Sequence, residues 1–254
     1  MSEHRFYVPP KQIIDDNVFI RGMDVWHITK VLRLSKGSHV VVFDGTGREY
    51  RVVLGKQKPR EILGTVVAQW ARQAESPLKI TLIQGVPKAN KMDLIVQKAT
   101  EVGVNDIIPL FTERSVWSTK QQRPEDDQKI NERLDRWARI SVEAAKQCCR
   151  SAVPRIYSML SIAELGALNL TADVKLLLWE DEQKIQLRQF LRDQTLPVRS
   201  AMLVIGPEGG LTEAEAEAFR AQGYQSISLG QRILRTETAG LVVAGILQYE
   251  FGDY

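Results

Sequence analysis

The chain has 254 residues, of which 44% are hydrophobic and 26% charged, the balance of an ordinary globular protein with length for one large domain or two smaller ones. Its opening run is charged and holds prolines, which excludes a signal peptide, and no stretch approaches the roughly 20 apolar residues that span a bilayer. The two cysteines, Cys148 and Cys149, are adjacent, which excludes both a disulfide framework and the spacing of a zinc site and points to a reducing cytoplasm. The formal net charge is +3, and the excess sits in residues 1–75, with 12 Lys/Arg against 8 Asp/Glu. That excess suits a polyanionic partner, and equally an ordinary solvated surface.

From Phe6 to about Trp70 the pattern is one of short apolar runs broken by turn signals. Val40–Phe43 runs into Asp44-Gly45, Glu49–Leu54 runs into Gly55, and Glu61–Val67 reads as one more strand. Several short strands at close spacing, with one short helix at Asp24–Val31, predict a small barrel. Ser76-Pro77 reads as a linker, so the expected domains are 1–75 and 76–254.

Beyond the linker the rhythm becomes strand and helix in turn. Strands are predicted at Leu78–Val86, Asp106–Phe111, Val174–Trp179, Ala201–Ile205 and Ser226–Leu229. Helices are predicted at Lys91–Val102 and Asp127–Cys149, after the capping boxes Ser161–Glu164 and Thr212–Glu215, and at Thr236–Phe251. Apolar strands alternating with helices predict an α/β domain with a mainly parallel sheet.

Two segments of this domain carry chemistry. In Leu203–Thr212 a buried strand ends, glycines follow and a capped helix begins; Gly206, Gly209 and Gly210 allow a ligand close to the backbone, or simply form a tight turn. The loop is not G-x-G-x-x-G and no Lys-Ser/Thr follows it, which disfavours a dinucleotide site and a phosphate loop. In Ser228–Ala239, Arg232, Arg235 and Glu237 crowd an otherwise apolar strand-to-helix junction. Two arginines before a helix N-terminus oppose the helix dipole, and an anionic ligand or reaction state is a reason to place them there; pairing with carboxylates at the surface is another.

Ile205–Thr212 and Leu229–Thr238, in this order, resemble the matching motifs of the RsmE-type 16S rRNA uridine-N3 methyltransferases of bacteria, in the SPOUT superfamily. Arg5–Val8, His27–Arg33, Phe43–Gly45, Lys91–Gly103, Pro109-Leu110, Glu113–Ser115 and Glu143–Cys148 resemble its other blocks, so the likeness runs through nearly the whole chain. The resemblance implies an N-terminal PUA-like β-barrel for RNA and a C-terminal α/β domain tied in a trefoil knot, a topology that periodicity would never suggest. It implies S-adenosylmethionine as methyl donor, with no metal, held by three loops: Leu178, Trp179 and Glu180; Ile205, Gly206, Pro207 and Gly210; Leu229, Gly230, Ile233 and Leu234. It implies 16S rRNA in the small ribosomal subunit as partner, and a homodimer. The final helix, apolar on nearly every side, suits both a core and a subunit interface.

Methylation at uridine N3 requires loss of the N3 proton and stabilisation of the resulting anion. Arg232 and Arg235 are the expected electrostatic partners, and Glu237 either accepts the proton or orients an arginine. RNA-facing candidates are Arg5, Lys30, Arg33, Lys88, Lys91, Arg114, Arg133 and Arg136, each of which also reads as a residue of a solvated face. The rival readings are a non-catalytic RNA-binding protein with a degenerate ligand pocket and a nucleotide-dependent enzyme, the latter opposed by the missing phosphate-loop lysine.

Overall fold

The computed structural model describes residues 4–71, 75–115, 124–180, 182, 185–195 and 197–254; residues 1–3 of the opening run and part of the loop after Leu178 lie outside them. The chain divides into two compact units, one up to Glu75 together with Val142–Val153, the other Ser76–Ser141 with Pro154–Tyr254.

In the first unit six strands form one sheet in the order β1-β4-β5-β6-β3-β2. They are β1 (Arg5–Tyr7), β2 (Ile13–Ile14), β3 (Asn17–Arg21), β4 (His39–Phe43), β5 (Arg48–Lys58) and β6 (Glu61–Ala71). Phe6 of the edge strand β1 and Val18 and Ile20 of β3, four places along that order, share one buried cluster with Val42, Val52 and Ile62, so the sheet curls around a single core, as the turn-rich pattern predicts. Register shifts between β5 and β6 at Arg51/Val52 and Leu54/Gln57 provide the bending. The expected short helix is α1 (Met23–Trp26) running into a single π turn at His27–Val31.

The extent of this unit was not expected. The domain boundary at residue 75 leaves out Val142–Val153, which long-range polar contacts bind to the barrel. Arg150 pairs with Glu75 at 2.7 Å, Lys146 with Asp24 at 3.1 Å, and Ser151 donates to Glu49.

The second unit holds a parallel six-stranded sheet in the order β12-β10-β11-β7-β8-β9. Its strands are β7 (Lys79–Gly85), β8 (Asp106–Leu110), β9 (Arg155–Ile156), β10 (Val174–Leu178), β11 (Ser200–Ile205) and β12 (Gln225–Ile227). The helices are α2 (Lys91–Glu101), α3 (Pro124–Gln147), α4 (Ile162–Ala167), α5 (Leu187–Arg192), α6 (Glu213–Ala221) and α7 (Thr236–Phe251). Successive strand residues face opposite sides: Ile80, Leu82, Leu176, Leu203 and Ile205 pack with α2, α3 and α7, whereas Ile83, Leu177, Met202 and Val204 pack with α4 and α6. Burial of both faces explains why these strands read as continuous apolar runs rather than alternating ones. Both expected capping boxes are present, Ser161 with Glu164 and Thr212 with Glu215.

The strand order positions the site. β11 enters between β10 and β7, two strands already laid down, and α7, which follows edge strand β12, returns to the middle of the sheet. There a Cβ on Gly240 would lie 3.2 Å from both Ile205 and Leu82, so glycine lets α7 approach β11 and β7 closely. This return of the chain to strands laid down earlier is consistent with a knotted topology.

Candidate active site

Leu178 is paired in register with both Ile205 and Ile227, so β10, β11 and β12 end side by side at one level. The loops that follow surround a cavity of about 410 Å³, the size of a small-molecule site. Leu178, Trp179 and Glu180, then Ile205, Gly206, Pro207 and Gly210, then Leu229, Gly230, Ile233 and Leu234 all line it, and Arg232 and Arg235 join them. One cavity therefore collects the residues expected to hold the donor and both arginines. Glu237 stands just inside the first turn of α7, its side chain 16% exposed.

Backbone packing shapes the wall. Gly210 has φ +70°, a conformation that favours glycine, and a Cβ there would lie 2.5 Å from Glu180 Oε1 and displace that side chain. At Gly206 a Cβ would meet the carbonyl carbon of Gly210 and the side chain of Leu211 at 3.1 and 3.2 Å, so the crowding a side chain meets there is the loop itself.

A buried polar network, not anticipated from the sequence, fixes this loop. Thr236 Oγ1 donates to the Gly206 carbonyl at 2.6 Å, and the fully buried Gln84 donates through Nε2 to Thr236 Oγ1 at 2.8 Å and to the Gly85 carbonyl at 2.9 Å. The end of β7, the glycine-rich loop and the start of α7 are thus tied at one point. The available signal was a lone glutamine in the apolar run Ile80–Val86, where an uncompensated amide is costly.

The charged rim differs from expectation in one respect. Lys91, read as an RNA contact, lines the cavity. Its Nζ lies 2.9 Å from Glu208 Oε1 and 3.3 Å from Glu237 Oε2. Its hydrogen bond to Glu208 holds its ammonium above the usual lysine range against the opposing effect of burial, and Glu237 adds to it. Burial raises the Glu208 carboxyl, but Lys91 and backbone N–H donors outweigh that and leave it below the usual glutamate range. Arg235 forms the N-cap of α7 without a side-chain capping bond; its side chain is 82% exposed and reaches only to 4.0 Å from Glu237 Oε1.

The other RNA candidates scatter. Lys30, Arg33 and Lys88 are exposed. Arg114 donates to the Gly209 carbonyl at 2.8 Å, Arg136 pairs with Asp93, and Arg133 is half-buried on α3. Arg5 is 14% exposed, paired with Glu49 and stacked over the Phe43 ring. Among the described residues no group of three or more His, Cys, Asp or Glu is placed to hold a metal ion, and no helix is long and apolar enough to cross a membrane.

The α/β unit and the curled barrel define a methyltransferase of SPOUT type carried with a PUA-like domain. Residues 74–248 match the family of RNA methyltransferase domains, and residues 20–67 match the RNA methyltransferase PUA domain. The chain is 34% identical over 255 residues to the ribosomal RNA small subunit methyltransferase E of Bacillus subtilis (strain 168), a match covering 98% of this chain and 97% of the relative. It is 33% identical over 242 residues to the protein of the same name from Synechocystis, covering 94% and 75%. The structure of the methyltransferase E of Neisseria gonorrhoeae bound to S-adenosyl methionine superposes with a TM-score of 0.83 at 30% identity, covering all of both chains. A putative methyltransferase from Legionella pneumophila, also in complex with that cofactor, gives 0.84 at 28% identity over all of both chains. The chain belongs to the small-subunit ribosomal RNA methyltransferase E family.

The cavity fits S-adenosylmethionine. Leu229, Ile233 and Leu234 offer an apolar wall for a purine, three glycines bring backbone amides and carbonyls within reach, and the carboxylates of Glu180 and Glu208 suit a sulfonium cation.

Proposed function

We propose that this enzyme methylates N3 of a uridine in the 16S rRNA of the small ribosomal subunit, in the cytoplasm and as a homodimer, with Arg235, Arg232 and Glu237 at the reacting base. The observation that carries the reading is the cavity at the in-register ends of β10, β11 and β12, with two arginines on its rim and Glu237 beside it.

Bound in that cavity, S-adenosylmethionine supplies a methyl whose bond to sulfur breaks, with its electron pair, as the bond to N3 forms. Glu237 accepts the N3 proton. Its Oε2 is buried without a hydrogen bond and so keeps an acceptor site, and its carboxylate is tied more closely to Lys91 than to Arg235. Arg235 and Arg232 face the charge that spreads onto the uracil oxygens and stabilise it more than they stabilise the neutral base. The target base leaves its stack to reach the cavity.

The dimer reading rests on α7. Val242 and Tyr249, on one exposed side of it, are 40% and 71% exposed, and Leu94 of the neighbouring α2 is 44% exposed. Apolar surface on a helix whose other sides are buried suits a two-fold contact. Light scattering at micromolar concentration should give twice the chain mass; a monomer counts against it. The activity is tested by mass mapping of methylated bases in 16S rRNA from cells with and without the gene. The N3-methyluridine signal should vanish without the gene and return when purified enzyme and donor are added to the unmodified small subunits.

A further inference from the structure

Lys91 opens α2 and reaches into the cavity between two carboxylates on different segments. Glu208 belongs to the glycine-rich loop and is held from behind by the Lys88 backbone N–H, 3.1 Å from each of its oxygens. Glu237 belongs to α7. We propose that Lys91 is a positioning residue for methyl transfer: its ammonium bridges Glu208 and Glu237 and holds the Glu237 carboxylate at the cavity, rather than contacting an RNA phosphate. The proposal rests on the reading of Glu237 as proton acceptor.

Three observations support it. The first is enclosure. Side-chain exposures are 31% for Lys91, 26% for Glu208 and 16% for Glu237, so a phosphate approaching the ammonium would have to displace a carboxylate and sit beside the other. The second is geometry. Lys91 Nζ lies 3.3 Å from Glu237 Oε2, against 4.0 Å between Arg235 Nη1 and Oε1, so the lysine is the nearer cation and the one that orients the carboxylate. The third is that no substitute stands among the described residues. Of these, the other charged side chains lining this cavity are Glu180 and Glu208, of the same charge as Glu237, and Arg232 and Arg235, both exposed; Arg235 comes no closer than 4.0 Å. On α2 itself Asp93 is taken up by Arg136. Without Lys91, Glu237 is left, among the described residues, with a like charge in Glu208 and the exposed Arg235.

The test is single-turnover methylation of unmodified small subunits at saturating donor, with donor and particle affinities measured separately, for Lys91→Met, Lys91→Gln, Lys91→Arg and Glu237→Gln. Only variants that keep the wild-type melting temperature are read, and the glutamine variant is there in case methionine disturbs the loop. The proposal expects the Lys91→Met or Lys91→Gln rate to fall tenfold or more with both affinities within about twofold, the salt dependence of particle binding unchanged, and most of the rate restored by Lys91→Arg, which keeps a cation between the carboxylates. A normal saturated rate, with weaker particle binding and a salt slope lower by about 1, makes Lys91 a phosphate contact and overturns the proposal. Normal rate and normal affinities overturn it as well. Glu237→Gln separates the two levels: its full activity removes Glu237 from proton transfer, whereas a slow Glu237→Gln beside a normal Lys91→Met sinks the role of Lys91 alone.

Discussion

Glu49 in the barrel unit and Glu237 in the α/β unit are both acidic residues withdrawn from solvent, 3% and 16% exposed, and both face a cation. Glu49 accepts from Arg5, from Ser151 and from Trp70 Nε1 at 3.0 Å; its neighbourhood continues to Arg150, which is 5% exposed and paired with Glu75. Glu237 has one buried oxygen with no hydrogen bond, an ion pair to Lys91, and a cavity beside it. Saturated acceptors fasten chain segments to each other, while an acceptor left open beside a cavity is available to a substrate. On the proposed function the difference separates a structural carboxylate from a chemical one, although in the sequence both are a glutamate among arginines and apolar residues.

The comparison is broken most directly at Glu49. Glu49→Ala strands the mostly buried Arg5 guanidinium and removes the acceptor of two further donors, which should cost about 3–5 kcal/mol of stability. Urea denaturation should show that loss, while the saturated rate of the folded fraction stays near wild type. A cost under about 1 kcal/mol, the range of an exposed pair, would place Glu49 with the surface charges.

Arg235→Ala comes next. A fixed guanidinium facing an anion that exists only as the proton leaves should contribute about 2.7–4 kcal/mol to the transition state, or roughly a hundred- to thousandfold in rate. Turnover should fall by that factor while donor affinity, measured by calorimetry, and dimer mass stay put. Arg235→Lys should recover part of the rate, since a point charge lacks the planar fork. Loss of donor binding in Arg235→Ala would instead place the residue in the donor pocket and make Arg232 the better partner of the anion.

Gly210→Val should affect binding more than chemistry. The left-handed backbone alone costs about 1–2 kcal/mol for an L side chain, and the new Cβ also displaces Glu180 from the cavity wall. Donor affinity should weaken by tenfold or more with the sheet intact by circular dichroism. Unchanged affinity would show that the loop reshapes at no cost to the pocket. Gly206→Val is the companion: because its Cβ meets the loop's own turn, it too should act by deforming the loop.

These experiments probe what the sequence did and did not disclose. Strand and helix rhythm and both capping boxes were legible, because burial on two faces and helix starts leave local patterns; the gathering of three loops at one cavity was implied only by the family resemblance. Strand order was not, because insertion of β11 between β10 and β7 depends on pairings between distant segments. For the same reason nothing local marks Val142–Val153 as part of the barrel unit: the residues that bind it there, Asp24, Glu49 and Glu75, are 75 or more positions away. The two-residue strands β2 and β9 and the six-residue α5 carry too few residues for a period to show. Lys91 was placed on the correct helix, but its contacts with Glu208 and Glu237 were not foreseen, since a helix face fixes direction only after the loop beneath it is known.

The smallest effect should come from Lys30, and it tests the barrel side of the comparison. Arg5 and Lys30 were equal candidates for RNA, both basic and both in the barrel unit. The structure separates them: Arg5 is 14% exposed and bonded to Glu49 and to the Arg150 carbonyl, whereas Lys30 is exposed at the end of the π turn, beside Arg33. A buried, bonded guanidinium cannot neutralise a phosphate without first abandoning its carboxylate, but an exposed ammonium displaces only water and counterions. Lys30→Ala should therefore weaken binding of small subunits modestly and lower the slope of log affinity against log salt by about 1, with melting temperature and saturated rate unchanged. Arg5→Ala should do the reverse, lowering the melting temperature by several degrees and leaving the salt slope of the folded protein alone. If Lys30→Ala leaves the slope intact while Arg5→Ala flattens it, exposure is the wrong criterion for finding the RNA surface of this barrel, and the buried Arg5–Glu49 pair must open when RNA binds.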